Sequence, residues 1–487
     1  MNSQRGVFCS VLLATVSGCA FGPVHPQTDV SLPASIEAVT STAQINPASG
    51  PAQTIVVGPQ VAKNWWTAFG NADLNALVES ALKHNNDIQT ADAALRQAAE
   101  LGRAASGARL PTLDLNYQAE RARVSDALAT PLFDPNQTLY TLHTAQVTVG
   151  YAFDVFGGTR SKILSARAAA EVQRNRFEAA RTTVIANMVL AVIQTGSIKA
   201  QIAAATQNIA SNAELLTMMR RRQQLGSVGA LDVATQETAL ASAEGALPPL
   251  QHSFAHQQAV ISVLAGNAPG TPLMPIPDLA ALALPRSLPV SLPSDLVRRR
   301  PDVQAAEAQM RGAGADVGTA IAARLPAIQL SATAGGVATD FAQMFATGNP
   351  FWTLIGGITQ PLFHGGALRH QQRAAEAALD GAKSQYRASV LQAFVDVSDA
   401  LNGLRTDADA LDAASRASDA AGRTLHYVKR QLELGDVGTL TLLNASAANA
   451  QASLQLIQSR AARLSDSVAL FQAMGGDWQS RTAGTAN

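Results

Sequence analysis

Two hydrophobic periods share this chain. In Leu113-Asp114-Leu115-Asn116-Tyr117-Gln118-Ala119-Glu120, apolar and polar residues alternate one by one. That is the period of a β-strand with one apolar and one polar face. Ala145, Val147, Val149, Tyr151 and Phe153 alternate in the same way with Gln146, Thr148 and Gly150. Ile328, Leu330, Ala332 and Ala334 alternate with Gln329, Ser331 and Thr333. The pattern predicts strands over 112–123, 140–154 and 327–337, and a fourth, poorly alternating one over 351–361. Elsewhere the period is helical. Val184, Met188, Ala191, Thr195, Ile198, Ile202, Ala205 and Ile209 follow a four-three spacing, as do Val390, Phe394, Val397, Leu401, Leu404, Ala408 and Leu411. These are heptad seams, and their many Ala and Thr positions favour close helix approach. Proline is absent from Asn136 to Leu247 and after Pro361. The 69 residues from Gly157 to Leu225 and the 69 from Gly366 to Leu434 are therefore predicted as single long helices, each roughly 100 Å in extent.

The chain also repeats itself. Asp87-Ile88-Gln89 returns as Asp302-Val303-Gln304, and Ala108-Arg109-Leu110-Pro111 as Ala323-Arg324-Leu325-Pro326, both at an offset of 215. Phe156-Gly157-Gly158 is answered by Phe363-His364-Gly365-Gly366. Leu225-Gly226-Ser227-Val228-Gly229-Ala230-Leu231 is answered by Leu434-Gly435-Asp436-Val437-Gly438-Thr439-Leu440. Motif order is kept, which marks an internal two-fold repeat. The predicted organisation is a leader over 1–18, a Pro-rich N-terminal tether over 19–60 and a first repeat over 61–268. A Pro-rich linker over 269–293, a second repeat over 294–478 and a tail over 479–487 follow. Each repeat reads helix, strand, loop, strand, very long helix, tight turn, long helix. Gly226-Ser227-Val228-Gly229 and Gly435-Asp436-Val437-Gly438 are the turns, where glycine supplies positive φ. Two similar tips of this kind can present exposed valine and backbone to a partner.

Four strands are too few to close a membrane barrel, and open edges are not tolerated in hydrocarbon. If these strands enter a membrane, the chain must oligomerise. Two copies give eight strands and three give twelve, and the pattern does not choose. A half-buried soluble sheet has the same alternation.

Composition narrows the class. Lys+Arg and Asp+Glu are 36 each, so the net charge is zero, and no basic excess favours nucleic acid. The only cysteines are Cys9 and Cys19, so the body of the chain carries no disulfide framework or Cys-based metal site. Arg5 and the short apolar run Val7 to Val16 form an export signal too short to span a bilayer. Val16-Ser17-Gly18-Cys19 resembles a bacterial lipoprotein box, with Cys19 taking the lipid. Ala20 in the following position favours outer-membrane sorting.

Candidate chemistry is sparse. His252 and His256 share a helix face but lack a third ligand. Gly312, Gly314 and Gly318 do not have the spacing of a phosphate loop and fit close helix packing instead. No GxxxxGK[ST] or GxSxG motif is present. Arg298-Arg299-Arg300 reads as a solvated or ion-paired helix start. The chain is predicted not to be an enzyme and to use no metal or cofactor beyond lipid on Cys19.

Several motifs together resemble the TolC-like outer-membrane factors of bacterial efflux systems, most closely the NodT and OprM type lipoproteins. They are Trp65-Trp66-x-x-Phe69, Asp73-Leu74-Asn75-x-Leu77, Leu110-Pro111, Phe153-Asp154-Val155-Phe156-Gly157, Arg299-Arg300-Pro301-Asp302-Val303-x-x-Ala306-Glu307, Gln360-Pro361-Leu362-Phe363-x-Gly365-Gly366, Phe394-x-Asp396-Val397 and Ala473-Met474-Gly475-Gly476-Asp477-Trp478. The resemblance implies a mainly α protein with a small transmembrane β part. It implies a homotrimer with a twelve-stranded β-barrel, four strands per chain, continuous with a long periplasmic coiled-coil α-barrel. It further implies extracellular loops over 124–139 and 337–350, and docking of the two Gly tips on a periplasmic adaptor served by an inner-membrane pump of the RND type. The implied function is a passive exit duct for drugs or other small organic solutes. A duct for type I protein secretion and a non-pore structural periplasmic lipoprotein are the alternatives. One departure stands out. Where family members often have Asp in a Leu-Leu-Asp-Ala-Gln stretch that helps close the periplasmic aperture, this chain has Leu442-Leu443-Asn444-Ala445-Ser446, with Asp436 nearby.

Overall fold

The computed structural model describes residues 44–45, 51–58, 61–123, 125, 139–272, 274–290 and 299–476. The leader with Cys19, Arg298, Asp477, Trp478, the tail 479–487 and nearly all of the loop 124–139 lie outside the described residues. The chain forms two compact units. It passes from one to the other within α2 (Asn86–Gly107), α3 (Gly158–Gln224), α6 (Pro301–Ala322) and α7 (Ala367–Leu434).

The first unit holds residues 96–172 and 307–385, one piece from each repeat. The strands are β3 (Thr112–Arg123), β4 (Leu139–Phe153), β6 (Ala327–Ala338) and β7 (Pro350–Thr359). They form one antiparallel sheet in the order β3-β4-β6-β7, so each repeat supplies a hairpin and the hairpins join through β4 and β6. Register decides which side chains share a face, because directly paired residues point the same way. One row runs Leu113, Val149, Ala332, Leu354, and the next Leu115, Val147, Ala334, Trp352. The opposite face carries Asp114, Thr148, Thr333 and Thr353, then Asn116, Gln146 and Gly335. The sheet thus has one continuous apolar face and one polar face. The weak alternation of β7 comes from Phe351 and Ile355, which fall on the polar face.

The second unit holds the described residues within 29–95, 173–306 and 386–476. Here the heptad seams meet the core. Val184, Met188, Ala191, Thr195 and Ile198 of α3 are buried, as are Val390, Val397, Leu401, Leu404 and Leu411 of α7. Ile185, Val189, Val192 and Ile193 are buried as well. That segment is apolar around most of its circumference, with Asn187 and Gln194 exposed along one line, and it packs into protein as a core helix does. After each Gly turn the repeats differ. The second hairpin returns as one helix, α8 (Thr439–Ala473), whereas the first returns as α4 (Ala230–Gly245) and α5 (Leu247–Leu264). Pro248 and Pro249 account for the break, since proline lacks an N–H and is accepted in a first helical turn.

Two assignments need correction. The tether does not extend to residue 60, because Gln53–Val57 form β2, with Gln53 and Ile55 fully buried. The linker is not free either, because Ser287–Val290 form β5, which pairs in parallel with β2, Thr54 opposite Ser287. The pattern hid both, because β2 is a short β-branched run in Pro-rich surroundings and β5 is only four residues long and contains Pro289. A two-residue strand β1 (Gln44–Ile45) completes this sheet on the other side of β2. A 3-10 turn at Leu279–Ala281 packs against α3 so closely that a Cβ on Gly196 would lie 2.9 Å from the Leu279 nitrogen.

Candidate functional site

The motif residues converge on structural joints. Trp65 stacks on Phe471 with ring centroids 5.0 Å apart, and Trp65, Trp66 and Phe69 are all buried. The adjoining helix α1 (Ala72–His84) is capped by Asn71, whose side chain accepts from the Leu74 N–H. Arg300 lies with its guanidinium buried between three acceptors. It donates to both Asp302 oxygens at 3.1 and 2.7 Å, to Asp396 at 2.7 Å and to the Ala473 carbonyl at 3.2 Å. Three separate sequence motifs thereby meet at one side chain. Burial pulls the Arg300 guanidinium down, but Asp302 and Asp396 more than offset this and hold it above its ordinary value. Gly475 and Gly476 close α8 at positive φ. In the first unit Asp154 accepts from the Thr159 and Arg160 N–H groups and so caps the start of α3. Gln360 donates to the Arg324 carbonyl, and Gly312 lets α6 lie against Ala168 of α3, where an added Cβ would be 3.3 Å away.

The Gly turns are two copies of one device. At the first, Gly226 has φ +73°, its N–H donates to Gln223 and the Ser227 N–H donates to Arg222. At the second, Gly435 has φ +83°, its N–H donates to Leu432 and the Asp436 N–H donates to Gln431. Both are Schellman closures. Gly229 and Gly438 then open α4 and α8 in extended conformation. The two tips are fastened together. Asp232 accepts from the Gly229 N–H and from the Thr439 hydroxyl, and Arg222 donates to the Leu432 carbonyl. Leu215 packs with Val428, Leu432, Leu442 and Ala445, while its neighbour Leu216 packs with Met219 and Val233 in a separate cluster. A buried Gln236 donates to the carbonyl and side-chain oxygens of Asn212.

The expectation of exposed valines is corrected. Val228 and Val437 are half-buried, Val437 against the tip core. The exposed apolar residues are the leucines that flank each turn: Leu225 at 76%, Leu231 at 80%, Leu434 at 77% and Leu440 at 64%. The repeat spacing already contained them, but periodicity alone gave no exposure. Asn444 and Asp436 are both exposed, and no hydrogen bond joins them among the described residues. His252 and His256 are exposed on α5. Among the described residues no cluster of three or more His, Cys, Asp or Glu could hold a metal.

One polar cluster had no signal in the sequence. Arg463 of α8 is fully buried and donates to Gln53 at 3.3 Å and to the Pro51 carbonyl at 2.9 Å, which fastens β2 to α8. Beside it Asp407 of α7 and Asp466 of α8 share a hydrogen bond. Asp466 occupies the space that a side chain at Gly403 would fill. Burial, the Asp407 charge and that hydrogen bond push Asp466 up to about 6.

A sheet with one apolar face built from two hairpins, and paired helical tips, agree with the fold of TolC-type outer-membrane channels. A family model described as outer membrane efflux protein matches residues 77–267 and 292–476, and the chain belongs to that family. The pyoverdine export outer membrane protein OpmQ of Pseudomonas putida is 30% identical over 86% of this chain and 88% of its own. The toluene efflux pump outer membrane protein TtgI of the same species is 27% identical over 96% of this chain and 97% of its own. The solved outer-membrane channel OprN superposes with a TM-score of 0.85 at 24% identity, covering 94% of this chain and 99% of that one. The named relatives are export and efflux outer membrane proteins.

Proposed function

We propose that this chain is the passive exit duct of a tripartite efflux system, formed by three copies in the outer membrane. The observation that carries this reading is the sheet. It is apolar on one face and polar on the other, and among the described residues both β3 and β7 leave an edge unpaired. Unpaired edges are excluded from hydrocarbon, so β3 of one copy pairs with β7 of the next until the ring closes. Three copies give twelve strands with a wet interior. Leu362 and Phe363, almost fully exposed beside the end of β7, are covered by a neighbouring copy. Lipid on Cys19 adds an anchor to the leaflet.

The leucine-flanked tips dock on a periplasmic adaptor, which couples the duct to an inner-membrane pump of the RND type. The cargo is small organic solute, in keeping with relatives named for toluene efflux and pyoverdine export. The duct supplies no chemistry. It offers a hydrated path, and the pump provides the driving force. At the periplasmic end Asn444 presents a hydrogen-bonding but uncharged ring. Asn444→Asp is expected to raise cation selectivity in single channels, because a carboxylate attracts cations where an amide does not. Unchanged selectivity would remove Asn444 from the aperture.

The deciding experiment is planar-bilayer conductance of the purified mature protein, with its oligomeric mass measured on the same sample. Discrete channels from a trimer are expected. A monomer or dimer that does not insert would replace the duct with a structural periplasmic lipoprotein.

A further inference from the structure

We infer that Arg121 and Arg123 bind the phosphates of the outer-leaflet glycolipid, lipid A, around the rim of the barrel; this rests on the reading of the sheet as a membrane barrel. Alternation along β3 places both arginines on the face of Leu113, Leu115 and Tyr117. The acids of the same strand, Asp114 and Glu120, fall on the opposite, polar face. Charge on β3 is therefore sorted by face, cations toward lipid and anions toward the lumen. Arginines that served the lumen would alternate with the apolar residues and not align with them.

Height along the sheet agrees. The apolar face is bounded at one end by Tyr151 and Phe153, whose rings meet edge to face at 4.8 Å. At the other end Tyr117 is hydrogen-bonded to His143 at 2.8 Å, and Phe341 meets both rings edge-on. From Phe153 to His143 is ten residues along β4. At about 3.4 Å per residue and a tilt of about 40° this spans about 26 Å, close to the ~25 Å apolar band that aromatic girdles enclose in outer-membrane barrels. Arg121 pairs with Thr141 and Arg123 with Leu139, two and four residues beyond His143. They stand about 5 and 10 Å above the girdle, at headgroup depth. Both are exposed, and their cross-strand neighbours Thr141 and Leu139 carry no charge. A guanidinium fork held at that depth matches phosphate by geometry as well as charge. Three copies would present six such forks and fix the duct's depth in the leaflet.

The test uses the intact trimer, with native mass spectrometry of bound lipid. The probes are bisphosphorylated lipid A and its fully dephosphorylated form. Wild type is expected to retain the phosphorylated lipid about tenfold better, unaffected by millimolar inorganic phosphate. Arg121→Gln/Arg123→Gln is expected to lose that preference, while Asp114→Asn/Glu120→Gln keeps it. Equal retention of both lipids by wild type, which needs no variant, would overturn the proposal. So would a preference that survives in the arginine variant, or displacement by free phosphate. Conductance and mass on the same wild-type sample separate the failures: a protein that does not insert as a trimer refutes the barrel, whereas an inserted trimer indifferent to phosphate refutes only this site.

Discussion

Arg300→Met tests whether the motif residues act as a joint. Methionine keeps the apolar stem of the side chain and removes the charged fork. Lost are the short ion pairs to Asp302 and Asp396, both 2.7 Å, and the bond to the Ala473 carbonyl at 3.2 Å. Removing one partner of a fully buried ion pair costs about 3–5 kcal/mol, because the other charge stays buried. Here the Arg300 side chain is 10% exposed, but Asp396 is 33% and Asp302 45% exposed. Water can reach both carboxylates, so the expected loss is about 2–3 kcal/mol. For a chain of this size, with an unfolding entropy of about 1 kcal/mol/K, that lowers the apparent Tm by about 2–3 °C. The assay is helix melting by far-ultraviolet circular dichroism at one fixed scan rate. Arg300→Lys, which keeps the charge but not the fork, should recover only part of the loss. The Arg300→Met/Asp396→Asn double variant should lose less than the sum of the singles. A Tm within about 1 °C of wild type, or full additivity with Asp396→Asn, would show that the three motifs are not coupled through this side chain.

Asp466, pushed up to about 6 from an ordinary 3.8, binds its proton more tightly folded than unfolded, so its contribution is complete below pH 4 and is lost as pH rises through 6. Asp466→Asn should therefore melt later than wild type at pH 7.5, by about 1 kcal/mol after solvent screening, and the difference should shrink on acidification to pH 4, read by melting across that range. Leu225→Asp/Leu434→Asp should abolish solute resistance in an efflux-deficient host while leaving trimer mass and channel conductance unchanged; retained resistance would remove these leucines from the docking surface. Gly335→Ala should prevent barrel insertion, since its Cβ would overlap the Ala145 carbonyl on β4, and wild-type channel yield from this variant would contradict the β4–β6 register.

The strand periods and their positions could be read directly, because a half-buried strand shows alternation in every residue. Strands expected over 112–123 and 140–154 appear as Thr112–Arg123 and Leu139–Phe153. The long helices could be read as well, from heptads and from the absence of proline. The Gly turns could be located but not their surface, since Val437 packs against the tip core while Leu434 is exposed for reasons of packing rather than sequence period.

Local chemistry in the chain determined the repeat, the two periodicities and the turn positions, each written within a few neighbouring residues. Only tertiary structure decided what distant residues do to one another. It joined β4 to β6 across the two repeats, paired β2 with β5 across more than 200 residues, gathered three motifs onto Arg300 and pressed Asp466 against Asp407. Such contacts depend on which surfaces the folded backbone brings within bonding distance, and no local pattern carries that information.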